Sequence, residues 1–419
     1  MKKLILLLSC FCAITVNAQF TVSSDNAYLQ KTDVANLDAL FLFNGISSFT
    51  EITYTGNETV LEWQTFDGVF YSNSRTISPE DATGYTLKIN GVITYHIWTI
   101  NYSAYPISIG ALEIVEADDR CDYIKLVPTY TAPDLAYQDK NNATHLLPRV
   151  FTFRYDAVEF ANDVWTEPAV KSFTKADPFT EVVLPAPLCN TKFSMSGDMY
   201  AEQMNISPKI VETNLYQAIS VKSNMKGTVS ERTAKNEVDR SGTDISGSGP
   251  LVVDFESRVN PISTVFYEWY VYNLAEPNNY IRYNDRDLRY TFTESGSYRV
   301  KLVAASNSCE YVDSLDVRVL ASSLQVPNVF TPNGDGINDE FRVVFKSLSS
   351  YSCTVFNRWG RTVFSSDDPG KGWDGLVNGK MAAPGAYYYV IHATGTDLDS
   401  KGNPLKYKLS GDINLLRGK

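Results

Sequence analysis

Asn333-Gly334-Asp335-Gly336-Ile337-Asn338-Asp339 concentrates side-chain oxygens on a glycine-rich stretch. Asn333, Asp335, Asn338 and Asp339 would supply the hard donors that calcium prefers. The stretch lacks the spacing and the closing bidentate Glu of an EF-hand loop. The same residue types also build an ordinary tight turn, in which Asp335 and Asp339 accept bonds from local backbone amides. The turn is the expectation and a calcium ion the alternative; no other cofactor is expected.

Acid–base and nucleophilic chemistry has less to work with. Histidine occurs as His96, His145 and His392 only, and a Ser-His-Asp site needs one of them as its base. His96 sits in a strand-like alternation, His145 in a polar turn and His392 in the C-terminal segment, none beside a Gly-x-Ser-x-Gly elbow. Asp118-Asp119 reads as a solvated turn, and carboxylates are too numerous for a glycosidase pair to stand out. No phosphate-binding glycine loop appears. No catalytic residue is assigned, and the chain is read as non-enzymatic. Tyr102, Tyr105, Tyr123 and Tyr130 flank turns where a sugar platform could form, although Tyr in sandwiches normally packs across strands.

Lys2 and Lys3 precede an apolar run, Leu4 to Val16, and Val16-Asn17-Ala18 offers small residues before Gln19. Residues 1–18 read as a cleaved secretory signal; acylation at Cys10 is the alternative. No later stretch reaches the roughly 20 apolar residues of a transmembrane helix. Beyond the leader, Cys121, Cys189, Cys309 and Cys353 remain, in a compartment that permits disulfides. Of the three pairings, Cys121 with Cys189 is preferred because both lie upstream of the last two modules; otherwise some are buried thiols. Without CxxC spacing, structural zinc is not expected.

The elements that must position these residues are strands. Tyr85 to Ile100 alternates apolar and polar residues about Asn90-Gly91, a strong hairpin signal. The texture recurs in Thr59–Trp63, Arg149–Tyr155, Leu251–Phe255 and Tyr298–Val303, whereas helical spacing is confined to Asp156–Trp165 and Ser230–Asp239. An all-β chain of tandem Ig-like sandwiches follows. Residues 20–130 form the first sandwich, anchored by Trp63 and Trp98, with Cys121 to Val127 as its last strand. Residues 134–225 form a second β-rich domain, 226–250 a flexible polar linker, 251–320 a third module around Trp269, and 322–419 a small terminal sandwich.

The formal net charge is −11; residues 322–419 hold 11 Lys and Arg against 9 Asp and Glu, which leaves −13 upstream. An acidic body excludes the basic face of a nucleic-acid binder and suits a solvated extracellular surface.

Phe330-Thr331-Pro332-Asn333-Gly334-Asp335-Gly336-Ile337-Asn338-Asp339, then Asn357-Arg358-Trp359-Gly360, Trp373-Asp374-Gly375 and Pro384-Gly385-Ala386-Tyr387 form an ordered set near the C-terminal end of the sequence. The set closely resembles the gliding-motility-associated C-terminal domain of Bacteroidetes, the type B sorting domain of the type IX secretion system. Leu251 to Phe255, Trp269, Tyr290 to Phe292 and Gly296 to Leu302 resemble the strands of a PKD domain, without its Asp-Phe-Gly-Asp-Gly turn. The physical reading beside the resemblance is a small sandwich to which Phe356, Trp359 and Phe364 lend aromatic mass, with Gly360 at a turn.

The resemblance implies export across the outer membrane to the cell surface or medium. Its implied partners are the type IX translocon and a PorP/SprF-type outer-membrane protein. The chain is accordingly expected to act as an adhesin or surface scaffold that meets an extracellular glycan or protein ligand. The alternatives are a carbohydrate-active enzyme in residues 20–225 and a structural part of the secretion or gliding machinery.

Overall fold

A computed structural model describes residues 19–115, 120–230, 235–238, 245–262 and 265–417. The leader and Asp118-Asp119 lie outside the described residues. Apart from the helix Met199–Gln203 and a 3-10 turn at Tyr102–Ala104, every regular element described is a strand. The chain divides into two compact units. One comprises the residues up to Ala157, Pro168–Pro185 and Asn190–Gln217; the other comprises Val158–Glu167, Ala186–Cys189 and the chain from Ala218 onward.

In the first unit, a six-stranded sheet runs in the order Tyr28–Lys31, Ala39–Phe43, Val92–Asn101, Thr83–Ile89, Leu61–Thr65, Phe70–Ser72. It packs on a three-stranded sheet of Phe20–Ser23, Glu51–Tyr54 and Thr76–Ile77 through Phe20, Phe41, Phe43, Ile52, Trp63 and Tyr85. The expected hairpin closes at Asn90 and Gly91, both with positive φ (52° and 81°), which matches the twist of the flanking strands. Ile97 and Trp98 are neighbours on one strand and so point to opposite faces. Trp98 therefore anchors a second core, with Leu40, Leu42, Leu135, Tyr137, Leu147 and Tyr200. Burial on both faces explains why Ala39–Phe43 is an unbroken apolar run.

The strand expected to close the first sandwich belongs to the next one. Tyr123–Thr131 pairs with Ser108–Val115 on one side and Val182–Pro185 on the other. Facing this sheet is a four-stranded one of Ala169–Ala176, Val150–Ala157, Ser194–Gly197 and Lys209–Glu212. Tyr130 joins the layers, stacked 4.9 Å from Phe179 and edge-on 5.0 Å from Phe151. Alternation identifies a strand but carries no information about which sheet receives it.

In the second unit, Ser246–Ser248, Glu310–Leu320, Gly296–Ala305, Phe266–Asn273 and Tyr280–Tyr283 form a five-stranded sheet in that order. It packs on Lys226–Val229, Leu251–Glu256 and Leu288–Phe292, with Trp269 fully buried between. Both ends of the polar stretch 226–250 are thus strands: Lys226–Val229 pairs with Leu251–Glu256, and Ser246–Ser248 pairs in parallel with Arg318 to Leu320. The helix expected over Asp156–Trp165 is instead a strand end followed by the hairpin Phe160–Ala161 and Val164–Trp165. Asn162 and Asp163 take its turn at positive φ (51° and 67°), a conformation these two side chains tolerate. Of Ser230–Asp239, residues 235–238 are turn and bridge rather than helix.

Cys189 and Cys353 are buried thiols. The preferred Cys121–Cys189 bridge is therefore not formed. Order along the chain suggested it, whereas a disulfide requires Cα atoms roughly 4.4–6.8 Å apart, which only the fold decides.

Candidate functional site at one end of the C-terminal sandwich

The C-terminal sandwich is a five-stranded sheet, Val329–Phe330, Pro404–Leu415, Gly385–Leu398, Leu348–Phe356, Thr362–Ser366, opposed by the pair Ser323–Gln325 and Val344–Lys346. Its register gathers the motif segments. Phe330 and Gly385 both pair with Leu415, and Phe356 pairs with Tyr388. The hairpin tip 357–361, the Pro384-Gly385 step and the loop that leaves Phe330 consequently share one end of the sheet.

Trp373 brings the remaining motif to that end. Its backbone bridges Phe341, its ring lies edge-on 4.8 Å from Tyr387 and 5.3 Å from Phe330, and its Nε1 donates to Leu376 O at 2.9 Å. Gly375 has φ 74°, and a Cβ there would meet the Pro332 ring at 3.0 Å, so glycine is required twice over. Arg417 donates to Gly375 O (3.1 Å), Pro332 O (3.4 Å) and Ala382 O (3.4 Å), tying three loops together. Nothing in the sequence distinguishes this arginine from one on a solvated terminus.

The loop Asn333–Asp339 folds onto itself. Asp339 accepts from the amides of Asn333 (2.9 Å), Gly334 (2.7 Å) and Gly336 (2.7 Å). Asp335 accepts from Ile337 N at 2.8 Å, and Asn333 Nδ2 donates to Asp335 at 2.9 Å. The Gly334 amide, followed by that of Gly336, holds the Asp339 carboxyl below its usual range. A depressed folded value means that this contribution is present above the unfolded pKa of about 3.9 and is lost as pH falls through the folded value. Asp339→Ala is therefore expected to lower the melting temperature of the full chain at neutral pH, with the gap to wild type closing on acidification below about pH 4.

Trp359 corrects an expectation: it is 76% exposed and lends nothing to the core. Asn357 Oδ1 accepts from the amides of Trp359 (3.0 Å) and Arg361 (3.0 Å), and Gly360 turns at φ 78°. The tip held this way leaves the Trp359 ring in solvent. The Arg358 guanidinium lies over the Trp359 ring, 4.5 Å from its centroid. Phe356 is half-buried, while Phe364 does pack on the core.

The opposite end of the sheet, where Leu348 pairs with Gly395, is fixed to the third sandwich. Ser347 is fully buried and in the left-handed region (φ 51°). Its amide donates to Ser248 Oγ (2.5 Å), its hydroxyl donates to Leu320 O (2.5 Å), and its Oγ accepts from Gly249 N (2.9 Å). Ser347 O accepts from Thr396 N at 2.9 Å, and Thr396 O from Ser295 N at 3.1 Å. The motif-bearing end thus points away from a rigid mount.

The other sequence candidates sit in structural roles. His145 contacts Asp139 at 3.1 Å and stacks on Tyr137; Asn36 Nδ2, the first of several donors, holds the Asp139 carboxyl far below its usual range. His96 is half-buried in its strand, and burial lowers its pKa. His392 is exposed on the outer face of the C-terminal sheet. Tyr102 and Tyr130 bond Asp198 (2.8 Å) and Asp177 (2.6 Å), Tyr105 is 3.4 Å from Asp81, and Tyr123 alone of the four is largely exposed, at 52%. Among the described residues, no group of three or more His, Cys, Asp and Glu is placed to hold a metal.

One buried cluster in the first unit had no local signal. Asp198 caps the helix Met199–Gln203, accepting from Tyr200 N and Ala201 N, and also accepts from Tyr102 OH (2.8 Å) and Arg149 (3.1 Å). The Arg149 and Asp198 side chains are 2% and 0% exposed.

Comparison with known proteins agrees with this geometry. Residues 324–403 match the CHU_C type IX secretion signal domain, and residues 113–213 match a fibronectin type III domain. The second match begins within Ser108–Val115, the strand that pairs with Tyr123–Thr131 in the second sandwich. No curated protein matches the chain. Among solved structures, Sidekick-1 immunoglobulin domains 1-5 are 12% identical, covering 88% of this chain and 76% of that chain with a TM-score of 0.24. Three N-terminal domains of the bacteriophage RB49 outer capsid protein Hoc are 12% identical, covering 74% and 99% with a TM-score of 0.21.

The chain is an all-β protein of Ig-like sandwiches that carries a type IX secretion signal domain, and it is exported across the outer membrane to the cell surface or extracellular space. Among the described residues, no helix is long and apolar enough to cross a membrane.

Proposed function

We propose that the protein is a surface-displayed adhesin or scaffold without catalytic activity, sorted by the motif-bearing end of its C-terminal sandwich. The convergence of four motif segments and Arg417 on the end remote from the Ser347 mount carries this reading. That end would engage the translocon and a PorP/SprF-type outer-membrane protein, with Trp359 and Arg358 as its most prominent side chains. Exposed aromatics and arginines are the side chains most often central to protein contacts.

The upstream sandwiches, the third in a PKD-like spacer role, would hold loops out for contact on rigid cores. A cleaved leader at residues 1–18 would supply passage across the inner membrane. The loop Asn333–Asp339 would serve as a self-satisfied turn rather than a calcium site, and melting of the chain is expected to be the same with calcium as with a chelator.

Deleting residues 322–419 and fractionating cells tests the sorting role. Retention in the periplasm is expected, and arrival of the truncated chain at the surface would refute it.

A further inference from the structure

A cleft of 560 Å3 opens in the second unit where the third sandwich meets Thr396–Leu398 of the C-terminal one. Its size falls within the roughly 300–1,000 Å3 of ordinary ligand sites, which favour such module boundaries. Tyr290 and Tyr298 line it, each against Phe292 (4.7 and 4.9 Å), whereas Tyr272, which pairs with Arg299 while Asn273 pairs with Tyr298, turns its ring to the other face of the sheet. Three carboxylates, Glu276, Glu294 and Asp397, join them, and among the described residues no Lys, Arg or His lines the cleft.

The carboxylates are only partly committed. Glu276 accepts from Asn279 Nδ2 at 3.4 Å and Asp397 from Ser322 N at 2.9 Å. Glu294 has no cationic partner among the described residues. Burial raises the pKa of Tyr290 and Tyr298, and the Glu294 charge raises both further. An anionic ligand would therefore be repelled, whereas a cation would gain from both the charges and the aromatic faces.

The cleft also adjoins a free strand edge. Asn279 and Ile281 line it, and among the described residues Tyr280–Tyr283 is the terminal strand of its sheet, paired on one side only. Tyr280 and Ile281 are 53% and 49% exposed. An unpaired edge accepts an extended peptide through its backbone groups, and alternate side chains of that peptide then reach one face.

We propose that this cleft binds a basic, extended polypeptide segment, which adds to the Tyr280–Tyr283 edge and places a Lys or Arg side chain among Tyr290, Tyr298 and the three carboxylates. The site does not depend on the sorting end, which lies at the other end of the C-terminal sandwich. It would give the displayed protein a contact selective for cationic partners.

Anisotropy titrations of the full mature chain with a fluorescein-labelled Lys-Val-Lys-Val-Lys-Val peptide test the assignment. Saturable binding is expected, about tenfold weaker in Glu276→Gln/Glu294→Gln and also weakened at about 0.5 M salt. The Glu-Val-Glu-Val-Glu-Val counterpart and a maltooligosaccharide should not bind. Absence of saturable binding, equal binding of the acidic peptide, full affinity in the double variant, or binding of the sugar alone would each overturn the proposal. The two glutamates are exposed, so an unchanged melting temperature is expected to accompany the affinity loss.

Discussion

Replacing Arg149 by Met is expected to destabilise the first unit by about 3–5 kcal/mol, because it leaves the Asp198 carboxylate buried without its counter-charge. The pair is closed off from water, with side-chain exposures of 2% and 0%, so solvent cannot take over the lost contact. Asp198 would keep Tyr102 OH and the two helix amides. Three neutral donors do not offset a buried charge at the cost of one ion pair. Adding Asp198→Asn removes that charge while preserving a helix-capping side chain. The double variant should consequently be less damaged than the sum of the two single changes. Calorimetry of the full chain reads this out: the transition of the first unit should shift, and that of the second should stay in place.

Trp373→Ala carries the second large effect. The indole is 1% exposed and touches Phe330 and Tyr387, and truncating a buried tryptophan typically costs about 3–5 kcal/mol. The cavity would open directly beneath the loops that Arg417 ties together, so the end of the sandwich should lose its shape before the rest unfolds. Lower melting of the second unit is expected, together with a fall in the fraction of protein at the cell surface. Wild-type melting would contradict the packing account.

Much of this was legible beforehand because local chemistry decided it. Asn90-Gly91 predicted a hairpin, Trp269 a core position, and the spaced motifs after Phe330 a sorting domain. What the sequence did not reveal depends on three-dimensional placement. Arg149 and Asp198 lie 49 residues apart, and neither belongs to a motif. Alternation in Tyr123–Thr131 marks a strand yet does not say which of two sheets receives it. Met199–Gln203, at five residues, is too short to display a helical period. Trp359 reads as core by composition, but a hairpin tip closed by Asn357 turns it outward. That last difference bears most on function, since it converts an apparent packing residue into a solvent-exposed one.

The account rests on the motif-bearing end being a recognition surface rather than a folding requirement alone, and Trp359→Ala separates the two. Its ring is 76% exposed, so the variant should melt like wild type. The decisive measurement is the fraction of Trp359→Ala protein at the cell surface, compared with wild type and with the chain lacking residues 322–419. A reduced surface fraction with protein retained in the periplasm is predicted; a wild-type surface fraction would contradict the account.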